Sequence, residues 1–352
     1  MKKMIKKSTI VAAQICICFA LVSTVQAESK VVFASWGGSF QDAIRTSMLD
    51  PAAKTLGITV DEDTTNGIQD VRVQITAGAV AWDVTEQELP TCETLKREGS
   101  LEPLDYSTID TTGIPAELIN SHYIGFINFT KVLAYRKDVY GDNGPKSWAD
   151  FWNVKKFPGK RGMHGKVNYN LEAALMADGV PMDQIYTTLA TKKGKERAWA
   201  KLKEIIPHVT VWYRGGSQSA QLLRDGEVDM IHMGHNRVES VIDSGIDVGY
   251  VFDNGTMDVD CLLVPKGAPN KDNAMRLINE LITPESQARL AASMPLGPVN
   301  SGAFVTGIIP ADKIKKVNTH PDNYDKQLLI DPIFYIGNLG PLTERFDSLI
   351  QQ

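Results

Sequence analysis

Residues 31–43 read VVFASWGGSFQDA, and residues 209–233 read VTVWYRGGSQSAQLLRDGEVDMIHM. Each stretch opens with an apolar, β-branched run, passes two glycines and a serine, and continues at helical spacing. That is a strand–turn–helix joint. The second stretch runs past Gly226 into another apolar run, so its unit is strand, helix, strand.

Outward from these joints the same alternation continues. Strands are expected at 31–36, 58–63, 82–86, 132–136, 209–214, 228–233, 248–252 and 261–265, and helices at 39–56, 171–178, 217–225 and 271–281. The order predicts an α/β protein with helices on both faces of mainly parallel sheets. Turn formers cluster from Gly141 to Pro145 and again from Asp253 to Thr256. The segment between them has its own strands and helices. We therefore expect a second lobe, 134–259, inserted into a first lobe made of 28–133 and 260–352. Two crossing strands would join them as a hinge. A two-domain enzyme with its site in the cleft has the same outline.

The N-terminus points to export. Lys2, Lys3, Lys6 and Lys7 precede an apolar run, and Val25-Gln26-Ala27 supplies small residues for cleavage, so 1–27 reads as a signal peptide removed after Ala27. The run is shorter than the ~20 apolar residues that span a bilayer. Cleavage lowers Lys+Arg from 37 to 33 against 42 acids, a net charge of −9. An acidic chain without basic clusters is a poor partner for nucleic acid. Cys92 and Cys261 remain in the mature chain. An oxidising compartment permits a disulfide between them, and two buried free thiols fit equally well.

No G-x-G-x-x-G, Walker A, H-E-x-x-H or G-x-S-x-G motif is present. His232 and His235 have a spacing that metals use, but no third ligand joins them in sequence, so no metal or cofactor is expected.

Ligands of open α/β lobes bind beyond the carboxyl ends of strands. There Trp36 offers an apolar wall, Gly38 lets backbone come close, and Ser39 opens a helix. Glu88 can meet an amine. Arg214 and Ser217 stand after one second-lobe strand and Arg237 after the next, and two guanidinium forks suit a carboxylate or phosphonate. Asp258 and Asp260 share a strand face. Asn168 precedes the helix at 171–178. Each also has an ordinary reading: core tryptophan, helix cap, or surface arginine paired with nearby acids.

These motifs resemble the polyamine-type extracellular solute-binding proteins of ABC importers, the spermidine/putrescine-binding family. The marks are VVFASWGGSFQDA, WDV and REGSLEPLD (82–84, 97–105), SWADFWNVKKFPGKRG, NLEAALMADGV, GGSQSAQLLRDGEVDM and DCLLVPKGAPNKDNAM. The resemblance implies a type II periplasmic-binding fold of two Rossmann-like lobes, no catalysis, and delivery of a small polar ligand to an inner-membrane ABC permease by a monomer. It carries Trp36 over as the aromatic residue that packs on the ligand and Asp260 as the acid that pairs with an amine. Glu88 falls in a segment that contributes polar contacts. The chain departs from the pattern at Gly234-His235-Asn236, where an aromatic wall is missing. Arg237 stands where putrescine binders carry an acid, and Arg214 also occupies a place unsuited to a diamine. We therefore expect a ligand with an amine and an acidic group, such as an ω-amino acid, an amino acid or an amino-phosphonate. A plain polyamine is the alternative.

Overall fold

The computed structural model describes residues 29–351, so the expected leader, with Cys16 and Cys18, lies outside them. Strand β1 (Lys30–Ser35) pairs in parallel with β2 (Thr59–Thr64) and β3 (Val84–Glu88). Helix α1 (Gly38–Ile44) passes through a π turn at Arg45–Leu49 into a further helix at Asp50–Leu56, where the sequence predicts one continuous helix. Pro51 accounts for the turn. It has no N–H, and its ring displaces the Ser47 carbonyl, which accepts from Arg289 Nε at 2.8 Å. Helix α2 (Leu89–Arg97) follows β3 directly.

The chain continues through β4 (Tyr123–Arg136), β5 (Arg161–His164), α3 (Asn170–Ala177), β6 (Val209–Tyr213) and α4 (Gly216–Arg224). Then come β7 (Met230–Gly234), α5 (His235–Asp243), β8 (Val248–Leu263) and the short β9 (Gly297–Pro298) and β10 (Gln327–Leu329). The strands form one mixed sheet in the order β2-β1-β3-β8-β4-β7-β5-β6, with β10 beside β8 and β9 beside β4. The expected parallel pairing occurs at both ends, while β3–β8, β8–β4 and β4–β7 are antiparallel. The middle differs because β4 and β8 are long strands that pass between the two halves in opposite directions.

Residues 253–256 do not form the expected loop. They lie within β8, and the pairing of β4 with β8 jumps from Lys131↔Thr256 to Leu133↔Val251, leaving residues 252–255 as a bulge. Asn254 takes a left-handed φ of 60° there, and its carbonyl accepts from Trp148 Nε1 at 2.8 Å. The turn formers bend a strand instead of ending it.

One core gathers Val31, Phe33, Ile44, Val84 and Leu95 with Val259, Leu262 and Leu277. A second gathers Trp148, Phe151, Leu171, Trp199 and Leu202, beside a cluster of Ala134, Leu223, Ile231 and Val238. The division expected from sequence places 260–352 in the first lobe, but Ile330, Phe334, Tyr335, Leu342 and Phe346 belong to the second core. Pairing of β10 with Gly255–Met257 of β8 carries the C-terminal segment back to that side. Cys92 and Cys261 form a disulfide with their Cα atoms 6.8 Å apart, tying α2 to β8. No helix among the described residues is long and apolar enough to cross a membrane.

Candidate ligand cavity

A cavity of about 330 Å³ opens between the two halves, where β1 and β3 face the second-lobe joints at β6–α4 and β7–α5. Trp36, Phe40, Ile127, Phe129, Tyr213 and Leu296 supply its apolar walls. Gly37, with φ +70°, makes the turn at the end of β1, and a Cβ there would meet Thr64 Cγ2 at 3.1 Å. At the opposite joint a Cβ on Gly216 would meet Arg237 Nε at 3.0 Å. The glycine leaves room for the guanidinium beside the helix.

Acids gather on the first-lobe side. Glu88 and Asp260 are partners across β3 and β8, and both line the cavity. Strand alternation puts Glu86 and Asp258 on the same face, and both are buried. Trp36 Nε1 donates to Asp260 Oδ2 at 3.0 Å, and Ser35 Oγ donates to Glu86 Oε2 at 2.6 Å. The Glu86 and Asp260 carboxyls lie within hydrogen-bonding reach of each other. Burial pushes Glu86 up to about 7. Burial, then the neighbouring charges of Glu86 and Glu88, push Asp260 well above the usual carboxylate range. Asp258 is pushed up to about 7 by burial and then by Glu88, and it accepts from Tyr169 Oη at 2.9 Å.

Cations line the same cavity: Lys131 on β4, Lys166 in the loop after β5, and Arg237 on α5. Lys131 Nζ sits 4.8 Å from the centre of the Tyr169 ring. Burial and then the Lys166 charge draw Lys131 down to about 8, against the opposing pull of Glu88 and Asp258. Lys166 Nζ approaches Glu88 Oε1 at 3.8 Å. Arg237 is half-buried, burial lowers its proton affinity, and no carboxylate among the described residues pairs with it. His164 is held neutral, chiefly by burial and then by the charges of Lys131 and Lys166.

Of the residues expected from sequence, the structure brings Trp36, Glu88, Arg237 and Asp260 together in this cavity. Gly38 is exposed at the start of α1, and Gly37 lines the wall in its place. Ser39 belongs to the first turn of α1. Asn168 lines a separate groove that touches the cavity only at Glu88. Arg214 turns outward where edge strand β6 ends and pairs with Asp347 at 3.1 Å. Ser217 is exposed, while Ser219 lines the cavity. His232 and His235 are buried, and both are kept neutral mainly by burial. Among the described residues no group of three His, Cys, Asp or Glu side chains is placed to hold a metal.

Sequence reasoning missed Lys131, Lys166, His164 and Tyr213. Lys131 left a signal: it is the lone charge in the otherwise uncharged run from Tyr123 to Tyr135. Lys166 left none beyond its place after a strand.

The bacterial extracellular solute-binding protein model matches residues 48–317. A gamma-aminobutyric acid-binding protein of Pseudomonas aeruginosa is 31% identical over 94% of each chain. Among solved structures, the PBP MotA from A. tumefaciens in complex with glucopine is 36% identical, with a TM-score of 0.83 over 91% of this chain and 99% of that one. An ABC transporter substrate-binding protein from Bradyrhizobium japonicum is also 36% identical, with a TM-score of 0.86 over 92% and 99%. This chain belongs to the bacterial extracellular solute-binding protein family.

Proposed function

We propose that this chain is the periplasmic capture component of an ABC importer, exported by its leader, and that its solute is a small ω-amino acid or a similar zwitterion. The observation that carries the reading is that acids and cations line one cavity together, Glu88 and Asp260 with Lys131 and Arg237. The ammonium end sits against Asp260, Glu88 and the face of Trp36, where acids and an aromatic ring favour a cation. The acidic end sits against Arg237 and Lys131. Among the described residues Arg237 has no side-chain partner to leave when a carboxylate arrives. Lobe closure over the solute removes both charges from water, and the closed form docks on the permease. The monomer acts by binding alone, without nucleic acid, and releases the solute chemically unchanged.

The names of relatives support a solute of this kind: one is a GABA-binding protein, and another was solved with glucopine. More distant relatives, 24% identical over 61% of this chain, are named spermidine/putrescine-binding. A diamine would place its second ammonium near Lys131 and Arg237, and such like-charge contact is unfavourable. Thermal shift of the mature protein against GABA, neutral amino acids, an amino-phosphonate and putrescine tests the reading. At about one hundred times its dissociation constant a bound solute adds about 2.7 kcal/mol of apparent stability. Stabilisation by putrescine with no response to any zwitterion would reject it. Recovery of an altered solute would move the protein to the enzyme class.

A further inference from the structure

Beneath the cavity wall, Glu86 and Asp260 form a pair that a simple salt link to an ammonium does not require. Both side chains are at least nine-tenths buried. Each carboxyl has one oxygen satisfied by the protein: Ser35 Oγ donates to Glu86 Oε2, and Trp36 Nε1 donates to Asp260 Oδ2. The remaining oxygens, Glu86 Oε1 and Asp260 Oδ1, find no donor in the protein. Two buried, neighbouring carboxylates without a donor between them would repel each other, whereas one proton held by the pair removes the repulsion and supplies the missing donor.

We propose that Glu86 and Asp260 share one proton in the empty cavity, and that arrival of a ligand's ammonium group at Asp260 expels that proton to solvent. Glu86 is thus a positioning residue that acts through Asp260, and the inference rests on the solute reading above. The balance is simple. The ammonium brings one positive charge to the pair, one proton departs, and no covalent bond is made or broken in the solute.

The surrounding charges fit this assignment. On the same strands stand Glu88, whose negative charge favours keeping a proton on the pair, and Asp258, itself pushed up to about 7. Lys131, Lys166 and Arg237 line the same cavity, with a neutral His164. Glu88 is already approached by Lys166, and Asp258 accepts from Tyr169. The pair is therefore the acidic group whose buried oxygens still need a proton. An ammonium supplies the opposite charge that favours the ionised form, so capture and proton loss are thermodynamically linked.

The test uses GABA as probe and isothermal titration of the full mature protein in two buffers of different ionisation enthalpy. About one proton released per GABA near pH 6, together with affinity that rises up to about tenfold per pH unit below neutrality, is the expected result. In E86Q the amide donates permanently to Asp260, so proton release and the pH slope should vanish. A second arm needs no ligand: because Asp258 is also pushed up to about 7, infrared difference spectra between about pH 6 and pH 9 are taken on Asp258→Asn, which should show a protonated carboxyl band that the double variant with E86Q lacks. Binding without proton release overturns the proposal, as does absence of that band at about pH 6 in the unliganded protein. If GABA and every other zwitterion fail to bind, the solute reading falls and the infrared arm alone decides whether the proton is shared. If E86Q does not fold, the wild-type calorimetry decides.

Discussion

The indole N–H of Trp36 reaches across 224 residues of sequence to donate to Asp260 at 3.0 Å. One residue directly follows the first strand, and the other lies on the last strand that passes between the lobes. Their hydrogen bond fixes the wall ring and the acid as one unit, so a cation that stacks on Trp36 also meets the Asp260 carboxylate.

Trp36→Phe keeps most of the ring and deletes the donor. Loss of a hydrogen bond to a charged group costs about 1.5–3 kcal/mol. Calorimetry with the bound solute should show a weakening of that size, with the zwitterion preference retained.

Arg237→Ala should weaken an acid-bearing solute by roughly 2–5 kcal/mol, as when one partner of a buried charge pair is removed. Arg214→Ala should leave affinity unchanged, because Arg214 pairs with Asp347 outside the cavity. Equal losses in the two variants would contradict the placement of the acidic end.

Lys131 titrates near 8. A solute carboxylate held by its ammonium form should bind more weakly as pH rises through that value. A titration series across the range tests this, and Lys131→Met should bind more weakly overall but without the decline.

Glu86 and Asp258 give the unliganded protein a pH signature of the opposite kind to ordinary salt-bridged acids. Their folded values near 7 exceed those of the unfolded chain. Their stabilising contribution is therefore complete at low pH and is lost as pH rises from about 4.5 through 7. Denaturant midpoints should fall between about pH 5 and pH 8, and E86Q or Asp258→Asn should each flatten the fall.

Reduction of Cys92–Cys261 opens a large loop, since the two residues are 169 apart in sequence. Removal of such a link typically costs about 2–4 kcal/mol. A denaturant titration with and without reductant should resolve it.

Much of the architecture was legible because its signals are local. The β-branched runs and the two Gly-Gly-Ser turns locate β1, β6 and the helices that follow them. The continuous β8 was not legible, since Asp253-Asn254-Gly255 spells a turn whether the chain reverses or merely bulges. The site was legible where a residue directly ends or follows a strand, as with Trp36, Glu88 and Arg237. Arg214 follows the same rule yet misses the cavity. β6 is the edge of the sheet, and only the three-dimensional order of strands reveals that. The Glu86–Asp260 pairing was equally hidden, because it depends on the register of β3 against β8 and sequence spacing carries no trace of it.

The return of the last helix, Leu339–Ile350, to the second core means that the polypeptide crosses between the lobes three times, by β4, by β8 and by the stretch from Val264 to Gln327. Two spans act as a ribbon that can both bend and twist. A third fastening should restrain the twist and favour swing about one axis. A fluorophore attached at the carboxyl terminus would therefore report that swing as a simple change in distance from a label on the first lobe.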